Sequence, residues 1–321
     1  MRVAHAPSPA RDFALVFDAL GLKVLQRDWL SSNQIVFLDD PHAGSGSVVD
    51  TGYASHAQQT VALLETALHE RALARILNTH LHSDHCGGNH ALQARWPQAR
   101  TWVPLAAFEK ARSWDQERLT YRLTGQTCHP FAVDEALQPG QAVVLSGHSW
   151  QVHSTGGHDP DAVVLFEPEH RVLISGDALW RRKVALIFPE FDGHDGFGPA
   201  LAALDLIESL EPSIVIPGHG EPFCEVQDAL AISRQRLRHL RAHPAQHARH
   251  ALRVMMVFHL LEHRRRNRQA LCDWMALCPL AQRPVVGRLM QAEPQAFAPA
   301  ILQSLVDDGV VQLEGHEVVL G

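Results

Sequence analysis

Short apolar runs that end in glycine or in polar residues recur along the first two thirds of the chain. Residues 35–38 and 47–50 are two such runs and predict strands joined by a polar loop over residues 39–46. Apolar residues then recur at helical spacing from residue 56 to about residue 71, and residues 74–78 predict a short strand. The pattern predicts a β-α-β unit.

Three further apolar runs each lead into glycine and then into one side chain that can bind a metal. Residues 150–155 lead into Gly156, Gly157 and His158, residues 171–175 lead into Gly176 and Asp177, and residues 213–216 lead into Pro217, Gly218 and His219. Glycine permits a positive φ and lets other groups approach the backbone closely. One such strand end indicates little, but several in one chain predict a shared site at one sheet edge.

The last third of the chain has a mainly helical pattern. Residues 226–266 predict helix, and further helical patterns at 268–277, 283–292 and 299–308 precede a hairpin-like run at 310–320. This part of the chain therefore predicts three short helices and a two-stranded wing after a longer helical region. We expect a larger domain over residues 1–240 and a smaller, mostly helical domain over residues 241–321.

The composition is that of an ordinary globular protein. A length of 321 residues with 46% hydrophobic content suffices for a large buried core. Five cysteines, mostly far apart, do not fit a small secreted disulfide framework and favour a reducing cytoplasm. Residues 1–28 lack the continuous apolar stretch of a signal peptide, and no later stretch approaches the length of a membrane span. We expect a cytoplasmic protein with no membrane partner.

Charge is distributed unevenly along the chain. Between residues 231 and 270, ten arginines against one glutamate give about +9, which leaves about −16 on the rest of a chain whose net charge is −7. A basic segment can attract phosphate backbones or acidic partners. We favour the simpler interpretation, a helix packed against an acidic body, and keep nucleic acid as the alternative partner.

The strongest chemical signal lies in residues 79–88. His80, His82, Asp84 and His85 fall within six consecutive positions. Neutral imidazoles and carboxylates that converge on one point suit zinc, iron or manganese better than calcium or magnesium. The run predicts a metal site whose remaining ligands come from the other strand ends.

Together these residues resemble the metallo-β-lactamase-fold hydrolase superfamily, in its glyoxalase II-like branch. The resemblance rests on Asp50 after a strand, the motif HLHSDH at 80–85, His158, Asp177 and His219, and it covers about residues 25–225. It implies an α/β (α+β) fold, a four-layer αββα sandwich of two mixed sheets with the site at one edge between them. The C-terminal region looks like the winged-helix-like extension of some members.

The resemblance also implies two divalent metal ions, with zinc as the first choice and iron or manganese as alternatives. The implied ligands are His80, His82 and His158 for one ion, Asp84, His85 and His219 for the other, and Asp177 as a bridge between them. Asp50 would orient a ligand histidine through its other ring nitrogen, with a helix or turn cap as the alternative role. Asp84 is the candidate catalytic residue for handling protons.

A metal-dependent hydrolase is the implied enzyme, with metal-activated water attacking an ester-like bond in a thioester, ester or lactone. The alternatives are a phosphodiesterase or endoribonuclease of the same fold and, with less support, an iron-dependent redox enzyme or dioxygenase. The chain departs from the branch at residues 159–161, where Asp-Pro-Asp replaces Thr-Pro-Gly and alters the turn on the substrate side. We interpret Cys86 as a packed thiol.

A cluster of cations follows Asp177 closely in sequence. The loop contains the indole of Trp180 and three cations, Arg181, Arg182 and Lys183, and this combination would suit a small, anionic substrate. The three cations could instead pair with nearby acids, which are Glu190, Asp192 and Asp195. The sequence names no individual substrate contact. The C-terminal helices offer contact surfaces for a homo-oligomer.

Overall fold

The computed structural model describes residues 13–38 and 44–321. Residues 39–43 of the predicted polar loop lie outside the described residues, as does the start of the chain up to residue 12. Within the described ranges, we find no helix with the length and apolar character needed to cross a membrane.

The first sheet contains six strands that neighbour one another in chain order. They are β1 Leu22–Leu25, β2 Gln34–Phe37, β3 Ser45–Val49, β4 Ala72–Leu77, β5 Arg100–Pro104 and β6 Glu135–Leu137. The pairs from β1 to β3 are antiparallel, and those from β3 to β6 are parallel. Parallel neighbours need a crossover connection, and helix α2 (Ala57–Leu68) provides it between β3 and β4. The predicted β-α-β unit is confirmed.

The second sheet contains five strands in the order β11-β10-β9-β8-β7. They are β7 Ala142–Leu145, β8 His148–Ser154, β9 Val163–Glu167, β10 Val172–Gly176 and β11 Ile214–Pro217. Only β10 and β11 run parallel, and helix α7 (Phe197–Leu210) connects them. The three strands predicted before His158, Asp177 and His219 are β8, β10 and β11.

The two sheets pack face to face through a shared apolar core. Phe37 of the first sheet meets Trp150 of the second edge to face, with ring centroids 5.3 Å apart, and both side chains are fully buried. Val36 on the outer face of the first sheet packs with residues of α2 and of α4 (Asn89–Arg95). Phe166 on the outer face of the second packs with residues of α7 and α8 (Val226–Ala242). This layering confirms the predicted αββα sandwich.

Shorter elements connect these layers. They are α1 Phe13–Ala19, α3 Ser83–Cys86, α5 Leu105–Arg112, α6 Tyr121–Thr124 and single 3-10 turns at Ala54–His56 and Phe188–Asp192. Helix α3 is one turn long and lies at the carboxyl end of β4. It carries the second half of the histidine motif.

The C-terminal region differs in detail from its sequence pattern. The helix predicted over residues 226–266 is two helices, α8 and α9 (Pro244–His263), because Pro244 lacks an N–H and disfavours helical geometry at His243. The elements that follow are β12 Arg265–Asn267, α10 Arg268–Leu277, α11 Pro284–Met290, α12 Pro294–Asp307, β13 Val311–Glu314 and β14 Glu317–Leu320. The hairpin is confirmed, and β12 adds a third strand to it.

A separate hydrophobic cluster fills this region, to which Leu186 and Phe188 of the sandwich also contribute. The predicted division of the chain at residues 240 and 241 stays a prediction.

Candidate metal centre

Strand ends from both sheets deliver the predicted ligands to one place. β4 leads through Thr79 to His80 and His82 in an extended loop, and α3 then carries Asp84 and His85. Asp177 follows β10 directly and His219 follows β11. The turn between β8 and β9 adds His158. All seven side chains fall into two groups whose donor atoms lie within 4.8 Å of one another.

The first donor group consists of His80, His82 and His158. Nδ1 of His82 lies 3.2 Å from Nε2 of His80 and 2.8 Å from Nε2 of His158. Burial lowers the pKa of His82 and of His158 to about 4 and lowers the pKa of His80 well below its usual value. All three imidazoles are therefore neutral at pH 7.

The outward nitrogens of these rings face oxygen atoms. Nδ1 of His158 donates to the carbonyl of Leu186, Nδ1 of His80 lies 3.2 Å from the Thr79 hydroxyl, and Nε2 of His82 lies 3.7 Å from a carboxylate oxygen of Asp159. A proton on the outward nitrogen leaves a lone pair on the inward one. Three neutral rings then aim their lone pairs at a common point, where a cation accepts all three.

The second donor group consists of Asp84, His85, Asp177 and His219. Nε2 of His219 lies 3.1 Å from Asp84 Oδ2, and Nε2 of His85 lies 3.3 Å from Asp177 Oδ1. Burial opposes a charge on His85, but the carboxylates of Asp177 and Asp50 outweigh it and raise the pKa of His85 well above its usual value. Burial likewise opposes the charge on Asp177, but His85 and His219 hold its pKa well below the usual value.

Asp177 lies between the two groups. Its Oδ1 faces His85 of the second group at 3.3 Å, and its Oδ2 faces Nε2 of His158 in the first group at 3.4 Å. The indole of Trp180 donates to Oδ1 at 3.1 Å and fixes the carboxylate. One side chain therefore presents an oxygen to each group, the arrangement that a bridging ligand requires.

Asp50 lies behind this centre. Its Oδ1 accepts a hydrogen bond from the Thr79 backbone N–H, and its Oδ2 accepts one from the Thr79 hydroxyl, both at 2.8 Å. Oδ2 also lies 2.7 Å from Nδ1 of His85. The backbone of Asp50 has a φ of 60°, a left-handed conformation held by these contacts. The structure thus places Asp50 against a predicted ligand histidine and not at the start of a helix.

The donor set fits metal ions. A tetrahedral zinc site with bonds of about 2.1 Å separates its donor atoms by about 3.4 Å, close to the spacings between His80, His82 and Asp177 and their neighbours. Nε2 of His85 is buried, and although Asp177 Oδ1 lies 3.3 Å away, the two atoms are not aligned for a good hydrogen bond. A buried polar atom of this kind needs a partner, and a metal ion provides one.

Gly218 allows the side chains of the second donor group to lie close together. A Cβ atom at this position would lie 2.4 Å from Asp177 Oδ1 and 2.7 Å from Cε1 of His85. No real side chain fits there, so the glycine of the PGHG sequence permits the close approach of two predicted ligands.

Aromatic side chains form one wall of the centre. The ring of Trp29 stacks on His219 with centroids 5.4 Å apart, and Trp180 meets both rings edge to face. The ammonium group of Lys183 lies 4.1 Å above the Trp29 ring. The sequence contained no signal for Trp29, because it precedes the motif by some fifty positions in a segment without regular pattern.

The predicted cationic loop is only partly available for a substrate. Arg181 pairs with Glu225 at 2.5 Å. The three nearby acids have other partners: Asp192 pairs with Arg283, Asp195 pairs with Arg241, and Glu190 accepts hydrogen bonds from the backbone N–H groups of residues 196 and 197. Lys183 is exposed and lies at the aromatic wall.

A cavity of about 120 Å³ adjoins the first donor group. Its lining includes His82, Lys110, Arg118, Asp159, Asp161 and Phe188. Lys110 is buried and forms an ion pair with Asp161. The Asp-Pro-Asp turn that departs from the glyoxalase II pattern thus forms part of this cavity and anchors a lysine.

Four of the ten arginines in the basic segment pair with acids of neighbouring elements. Arg234 pairs with Asp205 and Glu208 of α7, at 2.8 and 2.7 Å. Arg253 pairs with Asp308 at 2.7 Å, and Arg265 pairs with Glu314 at 2.7 Å. These contacts support the interpretation of a basic helix packed on an acidic body.

Comparison with known proteins agrees with this geometry. The model of the metallo-beta-lactamase superfamily matches residues 27–219. A hydroxyacylglutathione hydrolase of Synechococcus sp. (strain JA-3-3Ab) is 32% identical over 159 residues, which are 50% of this chain and 54% of that protein. The chain spans about half the length of the curated relatives that it matches.

Two solved structures share the fold over nearly the whole chain. A metallo-beta-lactamase family protein of Thermus thermophilus matches with a TM-score of 0.54 and 21% identity, covering 94% of this chain and 99% of that one. A beta-lactamase domain protein of Burkholderia ambifaria matches with a TM-score of 0.55 and 23% identity, covering 94% and 93%. The family match extends over more than half of the chain and includes both donor groups, and the protein therefore belongs to the metallo-beta-lactamase superfamily.

Proposed function

We propose that this protein is a two-metal hydrolase that cleaves an ester-like bond, with a thioester as the first candidate and an ester or lactone next. The position of Asp177 carries the proposal, because its two oxygens face His158 of one donor group and His85 of the other. Two adjacent metal sites that share a carboxylate suit hydrolysis better than a structural role, in which a single closed site is usual.

His80, His82 and His158 would hold one ion, and Asp84, His85 and His219 would hold the other, with Asp177 shared between them. When bound, two divalent ions would lower the pKa of water toward neutrality and polarise the substrate oxygen. Zinc is the first choice for a set of imidazoles and carboxylates, with iron or manganese as alternatives.

Asp84 is the residue that we propose for proton handling. Its side chain is the most exposed of the second donor group, and its Oδ2 lies 3.1 Å from Nε2 of His219. Hydrogen bonding by His219 and the charge of His85 outweigh the effect of burial and lower the pKa of Asp84. An ionised carboxylate in this place can accept a hydrogen bond from an attacking water and orient it toward the substrate.

Asp50 is a positioning residue in this proposal. A carboxylate on Nδ1 fixes the His85 ring and directs Nε2 toward the centre.

The substrate that we propose is a small, anionic molecule. The cavity beside His82 and His158 places the guanidinium of Arg118 near the apolar side chains of Leu81 and Phe188. Two of its carboxylates, Asp161 and Asp192, are already paired with Lys110 and Arg283. On the other side, Lys183 adds an exposed cation at the Trp29 ring. The curated relatives named hydroxyacylglutathione hydrolase support a thioester. The turn at Asp159 and Asp161 lines this cavity in place of a Thr-Pro-Gly turn, so we propose a thioester as the substrate class without assigning its acyl or thiol group.

Hydrolysis of a panel of model substrates by the zinc-loaded protein tests the proposal. We expect S-acyl thioesters to be cleaved and Asp177→Asn to abolish cleavage without loss of the folded state. RNA cleavage that falls steeply with salt, with thioesters left intact, would establish the nuclease alternative. Two bound irons with oxygen consumption would establish the redox alternative.

A further inference from the structure

A pair of cysteines lies at the end of helix α3, the helix that carries the predicted ligands Asp84 and His85. The sulfur of Cys86 is 3.8 Å from that of Cys128, although the two residues are 42 positions apart in sequence. Cys86 follows the predicted ligand His85 and is fully buried. Cys128 is partly exposed and is flanked by exposed residues on both sides.

We propose that Cys86 and Cys128 are a site of reversible disulfide formation by hydrogen peroxide. The thiolate of Cys128 attacks the peroxide, its O–O bond breaks, and a sulfenic acid and one water form. Cys86 then attacks that sulfur, the S–S bond forms, and the sulfenic oxygen leaves as a second water. The two sulfurs supply the two electrons that reduce the peroxide, and the two thiol protons end in the two waters.

The different exposure of the two thiols determines the order of these steps. Peroxide reaches Cys128 because the loop around it is open to solvent, whereas Cys86 is enclosed by Leu81, Tyr121 and the helix itself. A sulfenic acid on Cys128 therefore forms with a second thiol already in van der Waals contact. Reactive cysteines of redox sensors combine an accessible thiol with such a neighbouring partner.

The Cys128 side must provide the movement that the bond needs. An S–S bond is about 2.0 Å long, so the sulfurs approach by roughly 1.8 Å. The backbone after Cys86 is closely packed, since a Cβ at Gly87 would lie 2.4 Å from the Ser83 carbonyl and 2.5 Å from the Ala54 nitrogen. The loop at Cys128 is partly exposed. The hydrogen bonds that hold it run from the Ser83 side chain to that of Gln126, from the Gln126 N–H to the Tyr121 carbonyl, from the Thr127 N–H to Tyr53, and between His90 and the Pro130 carbonyl.

The disulfide would affect the part of the molecule that contains the proposed substrate cavity. The chain between the two cysteines contains α5 and α6 and supplies Lys110, Arg118, Leu119 and Thr120 to the cavity wall. A disulfide would tie the far end of this segment to α3. It therefore restrains the wall of the cavity without replacing a metal ligand.

Peptide mapping of the full-length, metal-loaded protein tests the proposal. After brief treatment with hydrogen peroxide, we expect a peptide that links Cys86 to Cys128, which dithiothreitol separates again. Cys128→Ser should lose this peptide, while Cys224→Ser, a change at another partly buried cysteine, should retain it. The oxidised wild type should also unfold at a temperature several degrees higher than the reduced form, and Cys128→Ser should show no such difference.

Oxidation of Cys128 to a sulfinic acid with Cys86 still reduced would overturn the proposal. A disulfide to a different cysteine, or thiols of this pair that persist while Cys224 is oxidised, would overturn it equally.

Discussion

The carboxylate of Asp50 accepts a hydrogen bond from Nδ1 of His85 at 2.7 Å, and both side chains are buried. This bond holds a proton on Nδ1 and turns Nε2 toward Asp177, so Nε2 is the nitrogen that a metal ion would bind in exchange for its proton. The orientation of His85 thus depends on a residue that lies 35 positions earlier in the chain.

We expect Asp50→Asn to weaken metal binding by about ten- to a hundredfold, because the amide cannot replace the charge that orients His85. Elemental analysis after dialysis against graded chelator concentrations measures the effect. Asp134→Asn is the matched control, since Asp134 also accepts a backbone N–H, from Thr101 at 2.7 Å, but lies on the surface. Equal metal retention in the two variants would contradict the role of Asp50.

Replacement of Asp177 by alanine should abolish turnover and leave the sandwich folded. The substitution removes the oxygen atoms that face both donor groups, and we expect kcat to fall by about a thousandfold or more. Rates of thioester hydrolysis at saturating substrate give kcat, and circular dichroism checks the fold. Turnover at the wild-type rate would refute the two-metal mechanism.

Removal of metal should lower the temperature of unfolding. Ions that bind only the folded state stabilise it, so chelation should reduce the unfolding midpoint by about 5–10 °C. Calorimetry before and after chelation measures this change. Zinc should restore the midpoint and magnesium should not, because His80, His82 and His158 suit the softer ion. An unchanged midpoint in a chain proven free of metal would argue against the site.

Gly218→Ala should damage the centre more than Gly220→Ala. A methyl group at residue 218 would collide with Asp177 and His85, whereas residue 220 has open space and only an unfavourable φ of 90°, a strain of about 1–2 kcal/mol. We expect the first variant to lose metal and at least about 90% of its activity. The measurements are the metal content and kcat of the two purified variants. An equal loss of metal and activity in both would show that backbone strain alone is responsible.

Lys183→Met should raise KM for an anionic thioester by about tenfold while leaving KM for an uncharged analogue nearly unchanged. The reason is the place of its ammonium group, 4.1 Å above Trp29 beside His219. Arg182→Met serves as the control, because it removes a charge from the same exposed loop. A uniform change in KM for both substrates would indicate a structural effect.

The residues of the centre could be predicted from sequence because most of them follow the end of a strand. β4, β10 and β11 are short apolar runs, and the polar residue that follows each must lie at the sheet edge. The positions of Trp29, Lys110 and Phe188 beside the site could not be predicted in this way, since their contacts depend on tertiary packing between distant segments. The break at Pro244 could not be predicted from periodicity, because helical spacing continues on both sides of it.

The predicted ligands come from both layers of β-structure, His80 and His82 from the end of β4 in the first sheet and Asp177 and His219 from β10 and β11 in the second. Neither sheet alone contains a complete predicted set, so we expect metal affinity to depend on how well the two sheets are aligned. A cavity or an oversized side chain in the interior, for example at Trp150, would then change metal affinity from a distance. Variation in the packed interior can therefore tune the chemistry of this centre while every ligand stays the same.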